Sequence, residues 1–180
     1  MTQEQINDSV AFLKEKGFVQ PEIGIILGTG LGKLVDEIED AVEAHYHNIP
    51  FFPLATVEFH TGKLIYGTLS EKKVVVMQGR FHLYEGYDLQ DITYSVRVMR
   101  ELGIQKLFIS NAAGAVNLNF KKGDLMLIDD HINLQGSSPL AFKNVSDFGD
   151  RFVDMAAPYD ASMSSRLEQI AAEKGITLRK

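Results

Sequence analysis

Apolar residues at Ile6, Val10 and Leu13 repeat at helical spacing, and Gly17 stands where such a helix would stop. After Pro21, the run Glu22-Ile23-Gly24-Ile25-Ile26-Leu27 has the composition of a short buried strand. It leads into Gly28-Thr29-Gly30-Leu31-Gly32, beyond which Leu31, Leu34, Val35 and Ile38 mark the face of a further predicted helix. Strand, glycine turn and helix in that order open an α/β unit. Lys63–Gly67 and Lys73–Met77 are predicted strands joined by a Ser70-Glu71-Lys72 turn. A helix is expected from about Asp88, with Asp91 completing a capping box; it turns Ile92, Val96 and Met99 inward and ends at Gly103. Strands at Lys106–Ser110 and Leu125–Ile128 follow. Residues 135–150, rich in Gly, Ser, Pro, Asn and Asp, are expected to form a long loop, and a last helix spans about 161–174. Ile176-Thr177-Leu178-Arg179-Lys180 then begins a new strand as the sequence ends, the pattern of a chain cut short. No internal repeat or low-complexity segment interrupts the order.

Composition narrows the chemistry. The 180 residues are 45% hydrophobic and 23% charged, a globular balance compatible with one domain over 1–180. Cysteine is absent, which excludes disulfides and thiolate metal sites and is compatible with a cytoplasmic protein. The N-terminal MTQEQINDSV has no basic and apolar succession of a secretory signal, and no apolar run approaches a membrane span. A net charge of −6 argues against nucleic acid or an anionic membrane as partner. Any anion must therefore be held in a local pocket.

Four segments carry candidate chemistry. Glycines after a strand let backbone amides approach an anion at a helix N-terminus. Gly28–Gly32 is neither a P-loop, since three residues separate those glycines and Leu34 follows Lys33, nor a dinucleotide fingerprint, since position 33 is Lys33. Alone it serves equally as a tight connection. Met77-Gln78-Gly79-Arg80-Phe81-His82-Leu83-Tyr84-Glu85-Gly86-Tyr87 crowds a guanidinium, an imidazole, phenols and a carboxylate at one strand exit, where α/β sheets bind ligands. Arg80 offers a planar fork suited to phosphate. His60-Thr61-Gly62 adds a histidine that carries little weight unaided. Ser110-Asn111-Ala112-Ala113-Gly114 places small residues at a strand end, suited either to a ligand lying on backbone or to close helix packing. His45 and His47 lie at strand spacing but lack acidic or thiol companions nearby, so they are taken as exposed polar residues and no metal site is assigned.

Together, Gly28–Gly32, Phe59-His60-Thr61-Gly62-Lys63-Leu64, Gln78–Tyr87 and Asn111–Gly114 resemble the trimeric purine nucleoside phosphorylases, in that order and at that spacing. Gly123–Ile128, Asp130–Leu134 and Phe148-Gly149-Asp150-Arg151-Phe152 continue the likeness. The resemblance implies an α/β fold with a mixed sheet flanked by helices, assembled as a homotrimer. The activity it implies is phosphorolysis of purine nucleosides in cytoplasmic purine salvage, a pentosyl transfer that needs no metal or organic cofactor. It further implies that Thr29, His60, Arg80, His82 and the Ala112 amide bind phosphate. Arg80, His82 and His60 would be the catalytic side chains. Tyr84 would contact the sugar, and Phe152 would cover the ribose pocket of a neighbouring subunit. The family's purine-recognising glutamate and asparagine lie in segments that would follow Lys180, so the resemblance implies a C-terminally incomplete domain, inactive by itself. A methylthioadenosine phosphorylase is the near alternative, against which the Gln78-Gly79-Arg80-Phe81-His82 wording speaks. A non-catalytic nucleotide-binding module would use the glycine turn without accounting for Arg80, His60 and His82. A nucleoside hydrolase would require acidic metal ligands.

Overall fold

The computed structural model describes residues 1–53, 62–141 and 145–180. They gather into two compact units, Met1–Ala112 and Ala113–Lys180.

The first unit opens with α1 (Gln3–Glu15), capped by a Thr2–Gln5 capping box. It buries Ile6, Ser9, Val10 and Leu13, the face that the apolar spacing predicts. Gly17 follows at φ +98°, a left-handed position that glycine occupies at no steric cost. Strand β1 (Ile23–Ile26) comes next. The expected helix after it is corrected: Gly32–Glu37 forms only 3₁₀ turns, through bonds such as Leu34 N–H to Leu31 O and Ile38 N–H to Val35 O. Ile38 is already extended, and the chain enters β2 (Glu39–His45) at once. Leu34, Val35 and Ile38 still reach the core beside Leu27, Ile65, Val74 and Val76, so the apolar face survives without the α-helix. Strand β2 itself escapes the sequence pattern because Glu-Asp-Ala-Val-Glu-Ala-His is mostly exposed, as an edge strand allows.

Strands β3 (Lys63–Leu69) and β4 (Lys72–Gln78) form the predicted hairpin, antiparallel from Lys63↔Gln78 to Leu69↔Lys72. Its turn is two residues long, Ser70 and Glu71, both at positive φ, the twist that such hairpins favour. Lys72 belongs to the strand rather than the turn. Helix α2 (Leu89–Leu102) has the expected Asp88–Asp91 capping box and stops at Gly103, φ +118°. Its buried residues are Tyr94, Ser95, Val98, Met99 and Leu102, whereas Ile92 and Val96 are half-buried. Tertiary contact turns the helix this way, for the Tyr94 hydroxyl donates to Gln5 O at 2.8 Å and lies 2.7 Å from Ser9 Oγ on α1.

With β5 (Lys106–Ile109), the sheet order is β2-β3-β4-β1-β5. Strand β1 runs parallel to both neighbours, and β3 runs antiparallel to both of its own. The sheet is mixed. Gly24 lets Ile104 and Met99 come down on β1, where a Cβ would lie 2.7 Å from Ile104 Cδ1.

Tyr46 ties the hairpin to the β4 exit. Its hydroxyl donates to Gly79 O at 2.7 Å, its ring packs on Phe52 and Phe81, and burial pushes its phenol well above the ordinary value. A Cβ on Gly62 would lie 2.3 Å from this ring. Gly62→Ala is expected to cost about 2–3 kcal/mol, since a fully buried ring has nowhere to move. The thermal midpoint should fall by roughly 5–10 °C in differential scanning calorimetry.

In the second unit, β6 (Leu125–Met126) is shorter than the predicted strand and pairs in parallel with β7 (Leu178–Arg179). Arg179 Nε donates to Asp124 at 2.9 Å, and the Lys121 amide together with Arg179 holds that carboxyl below its usual range. The long loop contains a 3₁₀ turn at Val145–Phe148 and is followed by α3 (Ala161–Glu173), capped by the Asp160 carboxylate on the Met163 amide. Among the described residues, no helix is long and apolar enough to cross a membrane.

Candidate functional site

Because β4, β1 and β5 are neighbours and parallel, their carboxyl ends emerge side by side. Three of the sequence segments singled out above leave the sheet there: the glycine turn after β1, Gln78–Tyr87 after β4, and Ser110–Ala112 after β5. The crevice beyond strand carboxyl ends is where open α/β sheets bind ligands.

The glycine turn is closed by Leu31 N–H donating to Gly28 O at 3.3 Å. Gly30 occupies its third position at φ +90°, where a type II turn needs glycine. Thr29 is exposed at the tip. Since only 3₁₀ turns follow, the expected contribution of an α-helix dipole is absent here, and any anion would depend on individual amides and on Arg80. Gly28 approaches the end of β5 so closely that a Cβ would lie 2.6 Å from Ser110 O and 2.9 Å from Asn111 Cα. Close packing at this strand end is thus against the glycine turn, not against a helix.

Arg80 is half-buried and held at two points. Its Nη1 donates to Ser110 O at 2.8 Å and its Nε to His82 Nε2 at 3.1 Å. Because a guanidinium only donates, Nε2 of His82 accepts, which assigns the proton to Nδ1. Nδ1 in turn meets the Glu85 carboxylate, whose side chain is only 6% exposed. Glu85 fixes the imidazole ring, and its distance of three residues from His82 was the available sequence signal. Tyr84 is 83% exposed with its ring stacked on His82, centroids 4.7 Å apart and 15° between planes. Phe81 points the other way, buried between Tyr46 and Tyr87.

Arg80 bonds to His82 and Tyr84 stacks on it, while Thr29 occupies the adjoining β1 exit and Ala112 the β5 exit beyond it. His60 lies outside the described residues. Phe152 belongs to the second unit, where it is 89% exposed. His45 and His47 do not share a strand: His45 ends β2 half-buried, and His47 sits in a 3₁₀ turn with its ring stacked at 5.5 Å. The role of Ser110 had no sequence signal, because its partners lie thirty to more than eighty positions away.

Residues 22–180 match the profile of the Phosphorylase superfamily. The chain belongs to that family. It is 50% identical over 177 residues to purine nucleoside phosphorylase 1 of Bacillus subtilis, covering 98% of this chain and 65% of that one. Purine nucleoside phosphorylase of Bos taurus is 42% identical, with 97% and 61% covered. Among solved structures, isoform 2 of purine nucleoside phosphorylase from Schistosoma mansoni, in complex with cytosine and ribose-1-phosphate, superposes with a TM-score of 0.94 at 40% identity. That superposition covers 99% of this chain and 64% of the other. The expected nucleoside phosphorylase fold, a mixed sheet with helices, is thus borne out. This phosphorylase-superfamily chain spans less than two thirds of the length of these curated relatives, 61–65%.

Proposed function

We propose that the protein cleaves purine nucleosides with inorganic phosphate, releasing the free base and (deoxy)ribose 1-phosphate, as a pentosyltransferase of purine salvage. The observation that carries this reading is the meeting of Arg80, His82 and the Gly28 turn at adjoining strand exits. A fixed guanidinium beside a carboxylate-held imidazole and a turn amide suits a tetrahedral anion.

Breaking an N-glycosidic bond develops positive charge on the sugar, an oxocarbenium-like transition state. A phosphate dianion beneath C1′ stabilises that charge and then forms the new bond to C1′, while the bonding pair departs with the purine. The protein's part is positioning and electrostatics rather than activation of a nucleophile. In this reading Arg80 and His82 after β4, Thr29 after β1 and the Ala112 amide after β5 bind phosphate across three adjoining strand exits, His82 through Nε2–H once that nitrogen releases Arg80, and Glu85 positions His82. Tyr84 contacts the ribose. His60 is assigned beside phosphate and sugar from its motif. No metal or organic cofactor enters the reaction, and the enzyme is a cytoplasmic homotrimer that binds neither nucleic acid nor membrane.

Phe152 enters the proposal from its motif, and its 89% exposure, a level shared by Val116, Leu118, Ile132 and Leu134, leaves the ring accessible. Here it closes the neighbouring subunit's ribose pocket and excludes water, so that phosphate meets the sugar cation first.

The basic assay follows inosine or guanosine with and without phosphate, beside methylthioadenosine. Phosphate-dependent release of hypoxanthine or guanine is expected of a chain extended to the length of its relatives, and none of the 180 residues alone. Phosphate-independent binding without turnover would favour a binding module, and preference for methylthioadenosine would move the substrate. Mixing the Phe152→Ala and Arg80→Ala variants under subunit exchange should raise activity above either alone, because some sites then combine an intact Arg80 with a neighbour's intact Phe152. Exchange without such rescue would exclude the shared site.

A further inference from the structure

We infer that Ser110 is a positioning residue for the anion site: its hydroxyl latches the glycine turn to the end of β5, and its carbonyl holds the guanidinium of Arg80. This rests on the phosphate-binding reading above but assigns a residue which that reading does not use.

The geometry is specific to a hydroxyl. Ser110 Oγ accepts the Gly28 N–H at 2.9 Å and donates to Ile26 O at 3.3 Å. The Ser110 amide also donates to Ile26 O, at 3.0 Å. The same residue's carbonyl accepts Arg80 Nη1 at 2.8 Å and lies over Gly28, where a Cβ would be 2.6 Å away. One residue therefore touches all three strand exits. Its position sets where Thr29 stands, one residue beyond Gly28. It likewise sets the plane of Arg80 and the course of the chain to Ala112, two residues on.

The two hydroxyl bonds also sort the amides of the turn. By engaging the Gly28 N–H, Ser110 removes the first amide of the turn from competition for an anion and leaves that task to the turn's tip. Alanine at this position leaves the Gly28 amide facing a methyl group. The turn must then find another acceptor, and the recoil moves Thr29 and the Ser110 carbonyl together. A hydrogen bond of this kind and its loss are worth roughly a tenfold change in an equilibrium constant. Serine and threonine can supply both the acceptor and the donor; alanine can supply neither, and cysteine only weakly.

The experiment is isothermal titration of the protein with inorganic phosphate, for wild type and the Ser110→Ala, Ser110→Cys, Ser110→Thr and Arg80→Ala variants, with thermal midpoints recorded in parallel. Ser110→Ala and Ser110→Cys are expected to weaken phosphate binding about tenfold. Ser110→Thr is expected to restore it to within about twofold, since it keeps the hydroxyl. Should the alanine variant fail to fold, the cysteine and threonine pair carries the comparison. Wild-type phosphate affinity in Ser110→Cys or Ser110→Ala, with Arg80→Ala impaired, overturns the inference and leaves the anion site standing. Equal weakening in the threonine and alanine variants also overturns it, by making the effect one of packing. Wild-type affinity in Arg80→Ala overturns the phosphate-binding reading itself, and the inference with it.

Discussion

Arg80→Ala, in a chain extended to the length of its relatives, is expected to lower kcat/KM for phosphate about ten- to hundredfold while nucleoside affinity changes little. The guanidinium is the group that joins two strand exits, through Ser110 O at 2.8 Å and His82 Nε2 at 3.1 Å. Removing it deletes a charge-assisted donor and also one of the imidazole's two hydrogen-bond anchors, leaving Glu85 and the stacked Tyr84 ring. The loss should appear in steady-state kinetics with phosphate varied at saturating inosine. Lysine restores charge but not the fork, so Arg80→Lys should recover only part of the rate. Unchanged phosphate kinetics in the alanine variant would remove Arg80 from the site.

Gly28→Ala is expected to be still more damaging to phosphate use, by about a hundredfold or more, and to lower stability by about 2–3 kcal/mol. The added methyl would meet Ser110 O at 2.6 Å and Asn111 Cα at 2.9 Å. Both are backbone atoms and neither can rotate aside. The turn after β1 must therefore part from the end of β5, which breaks the Gly28–Ser110 bond and withdraws the carbonyl that anchors Arg80. Gly32→Ala in the same turn is the matched control. Its Cβ would meet only Gln78 Nε2, at 3.8 Å, and the variant should retain stability within about 0.5 kcal/mol of wild type. Phosphate kinetics and thermal denaturation of the two variants side by side check the contrast. Equal tolerance at both positions would mean that the close approach carries no function.

Local signals in the sequence were sufficient for α1 and α2, whose caps and stop glycines depend on residues within one turn. The β3–β4 hairpin was legible for a similar reason: the apolar runs Leu64-Ile65-Tyr66 and Val74-Val75-Val76-Met77 stand close together and the turn between the strands is short. The motif around Arg80 also announced its chemistry, because residue types suited to an anion are crowded within a few positions. Glu85 could have been added from its spacing to His82.

Other features belong to the tertiary structure alone. An edge strand as polar as β2 leaves no alternating pattern, and pairing with β3 is what makes it a strand. The apolar stripe at Leu34, Val35 and Ile38 fits α-helix and 3₁₀ turns equally, and the nearby entry to β2 decided for the shorter form. On α2, the sequence offered Ile92, Val96 and Met99, but docking of Tyr94 against Ser9 rotated the buried face. The glycine turn was ambiguous by itself, since glycine serves both tight connections and ligand approach. Its meaning came from the parallel order β4-β1-β5, which joins Gly28, Arg80 and Ser110 across intervals of thirty to more than eighty residues. Residue types and local periods thus determined what chemistry the chain carries and where its main helices lie. Strand neighbours, set by burial of the whole sheet, decided which of those residues meet, because no local interaction encodes a contact between segments so far apart.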